Sequence, residues 1–242
     1  MLRCGGADGK VDGMTSLQSE PRRQPFLNAP AVVLWLIGAL FLVHVAMTLA
    51  PAKMADELLT RFAFTPASYA RGGDLFWLAV PWVSHMALHG SFLHVGMNCL
   101  WLLACGPIVA RRYGGGLFLL FFLLCGIAGA ATYLALNWAS PDPVIGASGA
   151  ISGLMAAAVR MLRWPNADPL RPLAPILSRP ILFFSAVWLA TNYFFGMTGL
   201  GTGGDIRIAW QAHLGGYLFG LFAIAVLEWL RHGKTARSLE AR

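Results

Sequence analysis

Two residues in this chain carry the functional groups of acyl-transfer chemistry in an unusual setting. Ser148 lies in Val-Ile-Gly-Ala-Ser-Gly-Ala-Ile-Ser-Gly (144–153), and His213 lies in Trp-Gln-Ala-His-Leu-Gly-Gly-Tyr-Leu-Phe-Gly (210–220). Both stretches are apolar enough to enter a membrane, where a polar or ionisable group is costly and therefore marks function. A serine hydroxyl is a weak nucleophile until a neighbouring base takes its proton, and His213 is the candidate base. His94 and Asn98 stand i and i+4, so on a helix they share one face. They are candidate side-chain donors to an oxyanion, as is the backbone N–H of Ser148 at a helix start with its positive dipole end.

These groups need a membrane scaffold, and the composition supplies one. Of 242 residues, 57% are hydrophobic and 12% charged, and the mean hydropathy is +0.61. Soluble domains are about 25% charged. Six apolar segments are expected as helices, over about 30–50, 91–110, 114–138, 148–163, 178–198 and 208–230. The fold class is thus all-α integral membrane, one six-helix bundle domain over 29–231. A disordered N-terminal segment (1–28) without the apolar region of a signal peptide precedes it, and a tail (232–242) follows.

The formal charge of +7 is read as topology, not as nucleic-acid binding. Arg22 and Arg23 precede the first span, and Arg111 and Arg112 follow the second. Arg160, Arg163 and Arg171 close the fourth, and Arg231, Lys234, Arg237 and Arg242 follow the sixth. Positive-inside then places both termini in the cytoplasm. The long segment 51–88, with apolar stretches near Phe62–Phe64 and Leu75–Trp82, is expected to lie partly in the membrane interface.

Depth brings the polar groups together. Ser148 to Leu162 is a helix of roughly 22 Å at about 1.5 Å per residue, short of a hydrocarbon core of roughly 30 Å. With its basic end at the cytoplasmic face, the fourth helix begins roughly 8 Å below the outer surface. The loop 139–147 must dip to meet it, which requires cover by protein or a water-filled cavity. His213 lies roughly 7–8 Å deep in the sixth span, and His94 and Asn98 roughly 5 and 10 Å deep in the second. Gly149 and Gly153 on the fourth span, and Gly216 and Gly220 on the sixth, form small-xxx-small faces that let the two helices approach closely. Gly146 is grouped with these packing glycines. No Asp or Glu falls in the polar layer, so a Ser–His dyad is expected.

These residues resemble the rhomboid family of intramembrane serine proteases, over about 30–230. Gly146-Ala147-Ser148-Gly149 is similar to the family's Gly-x-Ser-Gly element. Ala212-His213-Leu214-Gly215-Gly216, with Gly220, is similar to its Ala-His-x-x-Gly-x-x-x-Gly element. His94 to Asn98 is similar to its His-x-x-x-Asn oxyanion element, and His85 and His89 match the histidines upstream of it. The resemblance implies a six-helix rhomboid-like bundle and hydrolysis of single-span membrane proteins near the membrane boundary, without metal, nucleotide or other cofactor. It also implies that the fifth span and the following loop gate substrate entry.

Three positions depart from the family's bacterial pattern. Ser152 stands where many members carry a tyrosine or phenylalanine that stacks on the histidine, so His213 must be oriented by something else. The first loop has no Trp-Arg pair. Ala110 replaces a glutamate common four residues after Gly106.

Blander readings compete with these. Taken alone, a serine at a glycine-rich helix start is most often a cap. A zinc site at His85, His89 and His94 is disfavoured, because on a continuous helix His94 points away from His85 and no His-Glu-x-x-His is present. His85 and His89 read as structural or water-organising, and His44 as a satisfied interior histidine. Thr191 and Asn192 touch either substrate or a neighbouring helix. Cys99, Cys105 and Cys125 read as small hydrophobes, and Cys4 has no metal-type partner.

The expected function is an intramembrane serine endopeptidase, a multi-pass protein of a bacterial inner membrane. Its partners are transmembrane protein substrates and the lipid bilayer, with no nucleic acid and no metal. The alternative is a non-catalytic rhomboid-like protein that binds and escorts transmembrane clients. A transporter would need internal repeats or opposed broken helices, and neither is visible.

Overall fold

The structure, a computed structural model, describes residues 29–161, 172–199 and 209–240, with side chains as far as residue 231. Its helices are α1 (Ala31–Leu49), α2 (Ala52–Phe62), α3 (Pro66–Arg71), α4 (Leu75–Ala79), α5 (Pro81–Ser84), α6 (Phe92–Tyr113), α7 (Gly115–Leu136), α8 (Ser148–Met161), α9 (Arg179–Thr198) and α10 (Trp210–Glu240), with a 3-10 turn at His85–Ala87. Among the described residues there is no strand beyond one antiparallel bridge, Phe64 with Val144. Residues 1–28, 162–171 (with Arg163 and Arg171), 200–208 in the loop expected to gate entry with the fifth span, and 241–242, together with the side chains of Lys234 and Arg237, lie outside the described residues.

Among the described residues, five helices (α1, α6, α7, α9 and α10) are long and apolar enough to cross a membrane. Their outward faces carry large apolar side chains, among them Trp35, Leu42, Phe183 and Trp229, as lipid contact requires. The fourth segment, α8, differs. It has 14 residues, about 21 Å of helix, and is sheathed by protein on nearly every side. Ala147, Ala150, Leu154, Ala156 and Ala157 are fully buried. Small side chains let α7 and α10 close over it.

That closeness is set by glycines. A Cβ on Gly216 would strike the Gly149 carbonyl oxygen, one on Gly220 the Gly153 carbonyl oxygen, and one on Gly153 the Cys125 sulfur of α7. Two further glycines join the contact. A Cβ on Gly129 of α7 would lie 2.6 Å from the Ala212 oxygen, and one on Gly215 would strike Thr132. The interface is therefore three helices deep, α7–α8–α10. Gly146 is not part of it. It sits in the loop before α8, and the expectation that it packs helices is corrected below.

Segment 51–88 folds as four short helices and the 3-10 turn. Phe64, fully buried, packs on Tyr69, Trp82 and His85. At the far end of the bundle, Glu228 of α10 accepts from Arg112 Nε and Nη2 at 2.9 Å each, from Tyr113 Oη at 2.7 Å and from Arg231 Nη2 at 2.7 Å. Arg160, one of the basic residues that close the fourth segment, is buried. Its Nη1 donates to the Leu221 carbonyl at 2.6 Å and its Nε to the Ala174 carbonyl at 3.1 Å, tying the end of α8 to α10 and to the incoming chain.

Candidate active site

The loop that delivers Ser148 descends into the bundle, and its backbone groups are met by protein. Val144 exchanges two backbone hydrogen bonds with Phe64, 2.8 and 3.1 Å, and the Gly146 N–H donates to the His85 carbonyl at 2.9 Å. This answers the rule that non-helical backbone within a membrane must be satisfied internally. His85 and Phe64 thus hold the loop from the first-loop side. The His85 Nδ1 donates to the Pro81 carbonyl at 2.7 Å, and burial pushes its imidazole down to about 4. Burial does the same for His89, with His94 beside it. Both rings are neutral struts at physiological pH.

Gly146 has φ +108, a backbone region closed to most side chains. A Cβ there would lie 2.7 Å from His94 Nε2 and 3.8 Å from Ser148 Oγ. The glycine is needed for the turn and for the approach of the His94 ring, not for helix packing. Ser148 then opens α8, where the first N–H groups have no partner within the helix. Its Oγ donates to His213 Nε2 at 2.6 Å. Both residues are half-buried, so the pair is reachable.

His94 borders the same space. Its backbone N–H is capped by Ser91 Oγ at 3.1 Å, and its Nδ1 accepts from the Gly90 N–H at 3.4 Å. Asn98 is buried, and its amide donates to the His94 carbonyl at 2.9 Å. One of its two amide hydrogens is thereby used and one remains. The structure therefore brings Ser148, His213 and His94 together. It gives no hydrogen bond from Asn98 to Ser148.

His213 has a second partner. Its Nδ1 donates to Asn192 Oδ1 of α9 at 2.7 Å. Ser152 does not reach the imidazole; its hydroxyl donates back to the Ser148 carbonyl at 2.7 Å. Thr191, exposed, bonds only its own helix, at Val187 and Trp188. Of the neighbouring pair 191–192, Asn192 is thus the interhelical residue. His44 is satisfied at Nδ1, which donates to the His89 carbonyl at 3.1 Å, but its Nε2 is buried without a protein partner. Among the described residues no three His, Cys, Asp or Glu side chains are grouped to hold a metal ion. His85 lies on the 3-10 turn and His94 on α6, so no continuous helix carries all three histidines.

The Rhomboid domain family model matches residues 77–229, more than half of the chain, including Ser148, His213, His94, Asn98 and Asn192. The chain belongs to the rhomboid family. It is similar to the rhomboid protease GluP of Bacillus subtilis (strain 168), 28% identical over 183 residues, covering 76% of this chain and 32% of that protein. It is 30% identical over 164 residues to the rhomboid protease GlpG of Serratia proteamaculans (strain 568), covering 61% and 51%. It is 24% identical over 240 residues to the rhomboid protease GlpG of Salmonella newport (strain SL254), covering 92% and 74%. The chain spans about a third of the first of these relatives and about half of the second. With its apolar helices, this rhomboid is a multi-pass membrane protein.

Proposed function

We propose that this rhomboid is an intramembrane serine endopeptidase acting on single-span membrane proteins. The observation that carries the reading is the 2.6 Å hydrogen bond from Ser148 Oγ to His213 Nε2 at the N-terminus of α8. In the first step Oγ attacks the scissile carbonyl carbon while Nε2 takes the hydroxyl proton. The carbonyl oxygen becomes an oxyanion, held by the Ser148 N–H, the positive end of α8, and donors on His94 and Asn98. Collapse breaks the C–N bond, and His213 returns the proton to the leaving amine. Water then hydrolyses the acyl-Ser148 ester, with His213 again taking and giving a proton.

In this reading α8 is the fourth of six spans, buried in the domain 29–231, with both termini cytoplasmic. Its short length sets the serine below the outer surface of a bacterial inner membrane. The tail 232–242 and the segment 1–28 flank the domain. Substrates are transmembrane proteins taken from the lipid bilayer.

The test is detergent-purified protein with a model single-span substrate and a serine-reactive fluorophosphonate. Wild type is expected to cleave and to label, and Ser148→Ala to do neither. Well-folded wild type that fails to label would overturn the peptidase reading in favour of the client-binding alternative.

A further inference from the structure

The amide of Asn192 sits in a hydrogen-bond chain whose direction is fixed at every link. Its Nδ2 donates to the Trp210 carbonyl at 3.2 Å. A carbonyl only accepts, so the amide cannot be turned the other way. Its Oδ1 therefore faces His213 Nδ1 at 2.7 Å, and an amide oxygen only accepts. The proton of a neutral His213 is thereby placed on Nδ1. That leaves the lone pair on Nε2, 2.6 Å from the Ser148 hydroxyl, as a base requires.

We propose that Asn192 is the positioning residue for His213: it selects the Nδ1–H tautomer and holds the ring toward Ser148. Resting on the peptidase reading, this makes the unit Ser148–His213–Asn192 in place of an isolated pair. An amide suits the location. A carboxylate would hold an imidazolium more strongly, but an ionised acid within a membrane is costly. The amide comes from α9, whose described residues are buried only at Ile181 and Gly196. One stripe of α9 fixes its register on α10. Ser185 Oγ and Tyr217 Oη are 2.7 Å apart, Trp188 stacks on Tyr217 at 4.4 Å, and Gly196 lies against Trp210. Asn192 falls between these contacts. The base is thus oriented only while α9 lies against α10.

The experiment uses the full chain in detergent, with 15N-histidine labelling and His213 assigned by its loss in His213→Ala. Ring nitrogen shifts should report Nδ1–H in wild type. In Asn192→Leu, close in size but without an acceptor, they should report a mixed or reversed tautomer. The kcat for a model substrate should fall about ten- to hundredfold, with KM changed less than about twofold. Asn192→Asp keeps the acceptor and should recover the tautomer and most of the rate. Should Asn192→Leu fail to fold, Asn192→Ala takes its place in both measurements. An unchanged His213 tautomer, or a kcat within about twofold of wild type, would overturn the proposal. If wild type neither cleaves nor labels, the peptidase reading fails, while the tautomer measurement still decides whether Asn192 positions the ring.

Discussion

Ser148 reaches His213 only because three backbone decisions are made around it. The loop is pinned by Phe64 and by the His85 carbonyl, Gly146 turns with φ +108, and α8 starts at Ser148 itself. Gly146 is the most exposed of these to a single change. An alanine there would be strained by its φ and would press within 2.7 Å of His94 Nε2. Backbone strain of this kind costs about 1–3 kcal/mol. Gly146→Ala is expected to lower the melting temperature modestly. It should reduce turnover by at least about tenfold, since about 1.4 kcal/mol at the reacting centre is already that factor. Paired thermal unfolding and substrate cleavage would check it; turnover equal to wild type would show that the approach of His94 to this turn is unimportant. The sequence shows a glycine two residues before the serine, but not the sign of its φ nor that a histidine leans on it. Both depend on the loop having already been pinned by the first-loop segment.

At the scale of helices, length arithmetic reads well because it is local. The sequence implies a short, basic-ended fourth segment, and α8 has 14 residues with its first at Ser148. The small-xxx-small faces at Gly149, Gly153, Gly216 and Gly220 are likewise legible as spacing. The contribution of α7 through Gly129, and through Thr132 against Gly215 of α10, is not, because Gly129 lies on a helix whose apolar residues run all round it. Nor is the pairing of Asn192 with His213, which depends on how α9 registers against α10. The α8–α10 contact gives a contrast between two glycines. Gly216→Ala drives a methyl into the Gly149 carbonyl. Overpacking costs about 1–3 kcal/mol, beyond the gain of up to about 1 kcal/mol in helix propensity. Gly38 of α1 has nothing within 4 Å of a built Cβ, so Gly38→Ala should stabilise by about 0.5–1 kcal/mol. Unfolding midpoints in one detergent should therefore move in opposite directions. A stabilised Gly216→Ala would contradict the close backbone contact.

For the molecule as a whole, the site lies near one end of α10 and a polar clamp near the other. His213 and Glu228 are separated on α10 by about 22 Å of helix. Glu228 gathers Arg112, Tyr113 and Arg231 and so ties the end of α6 to α10. It lies in Val-Leu-Glu-Trp-Leu (226–230), the same kind of polar intrusion that singled out Ser148 and His213, and was the signal that could have revealed it. It also supplies a carboxylate to this end of the bundle, where Ala110 has none. Buried ion pairs are often no better than apolar packing, yet removing one partner strands the other and costs about 3–5 kcal/mol. Glu228→Gln should therefore lower the unfolding midpoint markedly. The double variant Arg112→Leu with Glu228→Leu should recover much of the loss, because the more deeply buried Arg112 is removed together with its carboxylate. Cleavage per folded molecule should stay near wild type in both, since the clamp touches neither Ser148 nor His213. A Glu228→Gln protein as stable as wild type would show that the arginines are relieved by solvent. A folded variant with altered cleavage would instead mean that the spacing of α6 from α10, and with it His94 from His213, is transmitted along the full length of the helices.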